Sequence, residues 1–250
     1  MTLSHVDLGG DQLSFEDDGD PSHPVVVLCH GAGYDGTTFA DLAGRLVLAG
    51  HRVLRPDTRG AGRSTDRDGL VALEGPVCLG RDLVAVLDAA GVGTAHVVGH
   101  SLGGWTALGA ALLAPSLVAS LLLVGTPAGV FTPEVDRFWD GFEARLTDGA
   151  PPEAAAAFRL IRATAPDLDA VTALADLLPV AFVVGEDDAV YPTEVVRAAA
   201  AALPGAAVTV VAGAGHHVHL DRQDALLAII IETVARARPA RRGPAPTPRL

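Results

Sequence analysis

Residues 96–103 read HVVGHSLG and carry the clearest structural signal of this 250-residue chain. The stretch begins with an apolar run, residues 96–99, in which polar and apolar residues do not alternate. Such a run is typical of a strand buried on both faces of a parallel sheet. An apolar helical pattern, residues 102–114, follows at once, so the sequence predicts Ser101 on a sharp turn between a strand and a helix.

Other apolar runs of the same kind predict the remaining central strands of this sheet. They lie at residues 24–29, 52–55, 118–124, 180–184 and 207–212. Two earlier segments, residues 3–8 and 12–17, alternate more strictly and predict an antiparallel hairpin on the edge of the sheet.

Helical patterns separate most of these strands. They cover residues 39–49, 77–90, 193–203 and 225–235, besides 102–114. Strands that alternate with helices form a parallel sheet whose two faces are both covered by helices. The expected fold class is therefore α/β, a three-layer sandwich with a mostly parallel eight-stranded sheet, helices on both faces and a small helical cap.

The cap is predicted at about residues 129–179, where a long segment replaces the single helix that would suffice. A long connection inside a compact domain is usually functional. The segment is rich in aromatic residues, and we expect four of them to line a substrate pocket: Phe131, Phe138, Trp139 and Phe142. The alternative is an ordinary helical insertion whose aromatic residues, including Phe158, pack in a core of their own.

Composition excludes several classes of protein. Hydrophobic residues make up 49% of the chain and charged residues 19%, which excludes a disordered, highly charged chain. The formal net charge of −12 argues against a nucleic-acid partner, because no strongly basic face is available to neutralise phosphate. We expect residues 1–235 to form a single domain and residues 236–250, rich in Arg and Pro, to be a disordered basic tail.

The sequence shows no signal peptide, disulfide framework or metal-binding spacing; its two cysteines are Cys29 and Cys78. Residues 101–133 contain no charged residue, but glycine and proline pairs divide them into a buried helix and a buried strand rather than a membrane span. We expect a cytoplasmic protein that binds a small molecule, whose oligomeric state stays open. No cofactor or metal ion is expected.

The motif Gly99-His100-Ser101-Leu102-Gly103 has the form G-x-S-x-G. A serine on a sharp strand-to-helix turn has a strained backbone, and glycine on either side avoids steric clashes. The helix that follows favours negative charge beside the serine hydroxyl. The pattern therefore indicates a nucleophilic serine.

A serine nucleophile needs a base, and that base needs an acid to orient it. Asp187 and Asp188 come directly after the strand at residues 180–184, and His216 and His217 follow the strand at residues 207–212. Because the carboxyl ends of parallel strands meet at one edge of a sheet, these residues are expected to converge there.

On these residues the chain resembles the α/β-hydrolase superfamily, from Leu3 to Ala235. Residues 30–33 (HGAG) are similar to the oxyanion loop of that family, and residues 57–64 (DTRGAGRS) to its D-x-R-G-x-G-x-S loop. Residues 185–192 are similar to its G-x-x-D-x-x-x-P loop, and residues 213–216 to its terminal G-x-G-H. The resemblance implies the family's fold and a Ser-His-Asp catalytic triad.

By position, the resemblance makes Ser101 the nucleophile, His216 the general base and Asp188 the orienting acid, with the oxyanion hole formed by the backbone N–H groups of Ala32 and Leu102. Asp187 is the alternative acid, although the spacing to Pro192 favours Asp188.

Several neighbours are expected to be structural. His217 and His219 are interpreted as packing or surface residues near the site, although His219 could also face the pocket. His30 is expected to form hydrogen bonds beneath the oxyanion loop. Asp57 and Arg59 are expected to hold loops together through an ion pair and backbone hydrogen bonds, and His100 has no evident role in proton transfer.

The resemblance implies a serine hydrolase that cleaves a small-to-medium, moderately apolar carboxylic ester or lactone through an acyl-enzyme. A carbon–carbon bond hydrolase is an alternative, although members of that branch often have Asn where this chain has His100. A lyase, cyclase or cofactor-free oxygenase that reuses the triad is another. A small-molecule receptor with a slow triad is the alternative from a different class of protein.

Overall fold

The computed structural model describes residues 2–67, 69, 74, 76–149 and 159–237. Its framework is one eight-stranded open sheet with the strand order β1-β2-β4-β3-β5-β6-β7-β8. The strands are β1 (Thr2–Asp7), β2 (Gln12–Asp18), β3 (Val25–Cys29), β4 (Arg52–Pro56), β5 (Ala95–His100), β6 (Val118–Val124), β7 (Val180–Gly185) and β8 (Ala207–Val211). The predicted strands are confirmed, with ends that shift by at most one residue.

Pairing directions also follow the prediction. The β1–β2 hairpin is antiparallel and lies on the edge, where β2 pairs antiparallel with β4. From β4 through β3 to β8 every neighbouring pair is parallel. All residues of β3 are buried, which explains why its sequence is continuously apolar rather than alternating.

Helices cover both faces of the sheet, which confirms the three-layer arrangement. They are α1 (Ala40–Leu48), α2 (Pro76–Ala89), α3 (Leu102–Leu113), α4 (Pro133–Gly149), α5 (Leu168–Leu177), α6 (Thr193–Ala201), α7 (Val218–Asp221) and α8 (Gln223–Arg236). Helices α1 and α8 bury apolar side chains in the core on one face. The core on the other face receives side chains of α2, α3 and α6.

The segment between β6 and β7 contains α4, further helical residues at 159–163, and α5. Val135 and Trp139 of α4, with Val171 and Leu174 of α5, are buried in the same core as α3. Part of the predicted cap, residues 150–158 with Phe158, lies outside the described residues, as do residues 238–250 of the predicted tail. The domain boundaries and the disordered tail stay predictions.

The uncharged stretch at residues 101–133 is divided as the sequence predicts. It contains α3, a short 3-10 turn at Pro115–Leu117, and then β6. Among the helices that the structure describes, none has both the length and the apolar character needed to cross a bilayer.

Candidate active site

The register of the parallel strands brings the candidate residues to one edge of the sheet. Cys29 of β3 pairs with Gly99 of β5, and His100 at the end of β5 pairs with Val124 at the end of β6. On the far side, Gly185 of β7 pairs with Val211 of β8. The loops that follow these strands therefore emerge side by side, as the positions of the motifs along the chain predicted.

Ser101 has the strained backbone predicted for it, with φ 51° and ψ −116°. A non-glycine residue in this region is uncommon, and the surrounding structure must hold it there. Its N–H donates a hydrogen bond to the carbonyl O of Val124 at 2.9 Å. The flanking glycines let the turn close, because a Cβ at Gly99 would overlap the carbonyl of Gly103, and one at Gly103 would overlap that of Cys29.

Asp188 and His216 form a hydrogen-bonded pair. His216 Nδ1 lies 3.0 Å from Asp188 Oδ2 and 3.2 Å from Oδ1. Oδ1 also accepts the backbone N–H groups of Val190 at 2.8 Å and Tyr191 at 2.9 Å, and the carboxylate is fully buried. Because a carboxylate accepts hydrogen bonds, Nδ1 carries the proton and Nε2 presents a lone pair. This imidazole can therefore act as a base through Nε2.

Asp187, the alternative acid, is exposed, and its N–H donates to the carbonyl O of Ala214. The structure thus brings Asp188 to the imidazole, as its spacing to Pro192 favoured.

Gly125, directly after β6, is a close neighbour of this pair that the sequence reasoning missed. Its φ is +58°, which favours glycine. A Cβ there would lie 3.3 Å from both Asp188 Oδ2 and His216 Nδ1. The available signal was a glycine at the end of a buried strand.

The two residues expected to form an oxyanion hole are Leu102, which directly follows Ser101, and Ala32, in a loop that passes close to the serine. Leu102 is the first residue of α3, so its N–H has no acceptor within the helix. Ala32 lies in the loop after β3, one residue beyond Gly31. A Cβ on Gly31 would lie 3.3 Å from Ser101 Cβ, which shows how closely the loop approaches the serine.

His30 supports this loop with both ring nitrogens. Its Nε2 accepts the N–H of Thr58 at 2.8 Å, so the proton is on Nδ1, which donates to the carbonyl O of Gly31 at 2.9 Å. Burial lowers the pKa of His30 from its usual value. A neutral imidazole with this tautomer ties the Gly31 loop to the loop that follows β4.

Asp57 and Arg59 hold loops together, but they do not pair with each other. Asp57 accepts the N–H of Gly36 at 2.9 Å and the Nε–H of Arg63 at 2.8 Å. Burial alone would raise the pKa of Asp57, but the hydrogen bonds from Arg63 and Gly36 lower it. Arg59 instead pairs with Asp82 and Asp11. The Asp57–Arg63 pair thus lies within one loop, whereas Arg59 joins that loop to residues far along the chain.

The other histidines near the site are packed together. His219 is almost fully buried, with its Nε2 3.2 Å from Thr38 Oγ1 and its ring 4.8 Å from that of Phe39. Burial lowers the pKa of His219 to about 4. His217 is half-buried, and its ring lies 5.3 Å from that of Tyr34. Neither residue bonds to the Asp188 carboxylate in the contacts described.

The aromatic residues that the structure describes between β6 and β7 form a continuous cluster. Trp139 is 2% exposed and belongs to the core. Half-buried Phe131 and Phe138 pack against that core, and Phe138 stacks on Phe142 at 5.7 Å. Tyr191 joins the cluster to the Asp188–His216 pair, because its ring lies 5.8 Å from Phe138 and 6.0 Å from His216. Sequence reasoning did not single out Tyr191.

An apolar groove runs along the side of α3. Trp105, four residues after Ser101 in the sequence, is one of its lining residues. The remaining lining residues are Leu108, Gly109, Leu112, Leu113, Thr164 and Pro166. Within the described residues, no cluster of three or more His, Cys, Asp or Glu side chains is arranged to hold a metal ion.

Comparisons with known proteins give one family. The model of the Alpha/beta hydrolase family matches residues 26–229. A putative carbamate hydrolase, RutD, of Variovorax paradoxus is 40% identical over 115 residues, which are 45% of this chain and 41% of that protein. A carbendazim hydrolyzing esterase of Nocardioides sp. is 35% identical over 133 residues, which are 53% of this chain and 51% of that protein.

The sequence matches to these relatives thus cover about half of their length or less. Among solved structures, a thermophilic esterase from Thermogutta terrifontis superimposes with a TM-score of 0.72 at 23% identity, covering 96% of this chain and 100% of that one. At this identity the likeness shows the fold alone.

Proposed function

This chain belongs to the alpha/beta hydrolase family, and from that premise we propose that it is a serine hydrolase. Its proposed substrates are small-to-medium, moderately apolar carboxylic esters or lactones, cleaved through an acyl-enzyme. In this proposal Ser101 is the nucleophile, His216 the general base and Asp188 the orienting acid. The backbone N–H groups of Ala32 and Leu102 form the oxyanion hole.

The observation that carries the proposal is the buried Asp188–His216 pair beside a strained serine. Oδ2 of Asp188 lies 3.0 Å from His216 Nδ1, and this contact fixes the tautomer that leaves Nε2 as a base. Ser101 combines φ 51° with the first turn of α3, the backbone arrangement of a nucleophile elbow. A helix N-terminus at this position favours the negative charge that develops beside the serine.

The proposed reaction uses each of these residues in turn. Ser101 Oγ attacks the carbonyl carbon, and its proton passes to His216 Nε2. Negative charge on the former carbonyl oxygen is stabilised by the two backbone N–H groups. Collapse of this intermediate breaks the bond to the alcohol, which takes the proton from His216. Water, activated by the same imidazole, then attacks the acyl-enzyme and releases the acid.

An apolar acyl group suits the surroundings of the serine. The aromatic cluster reaches His216 through Tyr191, whose ring lies 6.0 Å from that of His216. The Nocardioides relative is named an esterase and the Variovorax relative a carbamate hydrolase. Esters, lactones and carbamates all offer a carbonyl carbon to the same nucleophile, so carbamates belong in the substrate panel.

The first test is labelling with a fluorophosphonate probe, followed by intact mass measurement of the wild type and of Ser101→Ala. We expect a single adduct on the wild type and none on the variant, because only an activated serine reacts rapidly with this probe. Ser101→Ala should also abolish hydrolysis of any ester, lactone or carbamate that the wild type cleaves.

A melting temperature of Ser101→Ala close to that of the wild type is the necessary control for folding. A folded Ser101→Ala variant that keeps full activity would overturn the mechanism. A folded wild type that neither takes up the probe nor cleaves the panel would overturn the serine hydrolase proposal in favour of ligand binding or non-hydrolytic chemistry.

A further inference from the structure

His100, the residue before Ser101, lies at the centre of a group of imidazole rings. Its ring centroid is 4.9 Å from that of His216, 5.4 Å from that of His217 and 4.6 Å from that of His219. The residue is 2% exposed. The mechanism proposed above assigns nothing to this side chain, although it directly precedes Ser101.

The hydrogen bonding of His100 identifies its tautomer. Nε2 lies 2.9 Å from the backbone carbonyl O of His216. A carbonyl oxygen can only accept, so Nε2 carries the proton and donates it. Nδ1 then carries no proton and presents a lone pair. Among the described residues this buried atom has no hydrogen-bond partner.

This unprotonated Nδ1 lies next to the loop after β3. A Cβ on Gly31 would lie 2.8 Å from His100 Nδ1, closer than such atoms approach, so a side chain there would force the loop or the His100 ring to shift. The ring of His100, the residue before Ser101, therefore lies against both the backbone of His216 and the loop that contains Ala32.

His100 is also kept neutral. Burial, together with the neighbouring imidazoles of His219 and His216, holds its pKa well below the usual range, and the contact with the His216 carbonyl opposes this only in part. A protonated ring would place a second N–H at Nδ1, where no acceptor is available among the described residues. His100 is thus a fixed, uncharged donor.

We infer that His100 is a positioning residue for the proposed base: its Nε2–H holds the backbone of His216 at a set distance from the turn that carries Ser101. This inference rests on the proposed function, because only there is His216 the base. Since His100 and Ser101 are consecutive, one hydrogen bond joins the backbone of the nucleophile to that of the base. A small displacement of reacting groups costs about 10²-fold in rate. A single hydrogen bond that prevents such a displacement can therefore matter for turnover even where it contributes little to the free energy of unfolding.

The rival interpretation is that His100 only fills space. The two readings differ in what they require of position 100: space filling requires volume, whereas positioning requires a donor at the place of Nε2. Glutamine and asparagine carry the same amide group, but only glutamine reaches as far as Nε2. They therefore form a matched pair that separates donor position from polarity.

The experiment compares wild type, His100→Gln and His100→Asn. Steady-state kinetics are measured on the best substrate of the panel, with melting temperatures for each protein. We expect His100→Gln to keep most of the activity, and His100→Asn to lose about 10- to 100-fold in kcat with little change in KM. His100→Met, which has similar length and no donor, should behave as His100→Asn and replaces it if the asparagine variant does not fold.

A second readout does not depend on turnover. The proton between His216 Nδ1 and Asp188 should give a low-field NMR signal that stays sharp in the wild type and His100→Gln. It should broaden through exchange with water in His100→Asn or His100→Met, because the backbone of His216 is no longer held.

The positioning role would be overturned if folded His100→Asn or His100→Met had the same activity as His100→Gln and an equally sharp NMR signal. Equal losses in the Gln and Met variants would also overturn it. Failure of the proposed function is a separate result, namely a wild type without a Ser101 adduct, and in that case the NMR comparison still shows whether His100 holds the backbone of His216.

Discussion

Backbone hydrogen bonds determine which of two adjacent carboxylates points towards His216. Asp187 and Asp188 are adjacent and chemically identical, yet only Asp188 turns inward. The N–H groups of Val190 and Tyr191 both donate to its Oδ1, so the carboxylate is held in one orientation beside His216. A buried carboxylate is tolerated because these donors replace the water that it loses.

Asp188→Asn should therefore reduce kcat by about 10⁴-fold, because an amide at this place no longer enforces the tautomer in which Nδ1 carries the proton. Asp187→Asn is the matched control, since the same chemical change occurs one residue away on an exposed side chain. Kinetics of both variants on one ester check this expectation. Equal losses would show that the acid is assigned to the wrong residue.

The contact between β3 and α3 depends on backbones that approach too closely for side chains. Gly103, in the first turn of α3, passes directly against the carbonyl groups of Cys29 and His30 at the end of β3. This approach lets the helix start immediately after the serine, with its N-terminus directed at the site. No rotamer change can relieve a clash of Cβ with backbone.

Gly103→Ala should consequently lower the free energy of unfolding by about 3 kcal/mol or more, since the helix must shift away from the sheet. Gly44→Ala is the control, because Gly44 lies on the exposed side of α1 with nothing near the added Cβ. That change should raise the free energy of unfolding by about 0.5–1 kcal/mol. Urea unfolding of both variants gives the comparison, and a Gly103→Ala protein as stable as wild type would contradict the packing described.

Across the protein, several histidines are buried in neutral form. Burial lowers the pKa of His96 to about 4, with a smaller contribution from His51, and lowers that of His219 to about 4 as well. An unfolded histidine titrates near 6.5, so the unfolded chain binds more protons than the folded protein between these values. The free energy of unfolding is therefore not reduced by these neutral histidines above about pH 6.5, and it decreases as the pH falls towards 4.

The free energy of unfolding should thus fall steeply between pH 6.5 and pH 4, and His96→Asn should reduce this slope by about one proton. His96 lies at the start of β5, away from the candidate site, and its Nδ1 is 2.9 Å from Ser120 Oγ. Asparagine places an amide near Nδ1, so this contact is kept. Denaturant titrations at several pH values measure the slope, and an unchanged slope in the variant would refute the assignment.

Much of the architecture follows from local sequence patterns. Continuous apolar runs identified the buried strands, since only side chains buried on both faces of a sheet lose the alternation of period two. The G-x-S-x-G motif marked the turn of Ser101 partly because Gly99 is required by a contact within a few residues of the chain, that with Gly103. The order of motifs along the chain then placed Asp188 and His216 at strand ends.

The remaining features depend on residues that are distant in sequence, and only the tertiary structure decided them. The contact of the Asp188 carboxylate with His216, the partners of Arg59 and the burial of Trp139 all arise from packing of separate elements. The clearest case is the hydrogen bond from His100 to His216, which spans 116 positions of the chain. A local pattern reports the environment of a strand or a turn, whereas the tautomer and role of His100 depend on which carbonyl the fold brings within 2.9 Å.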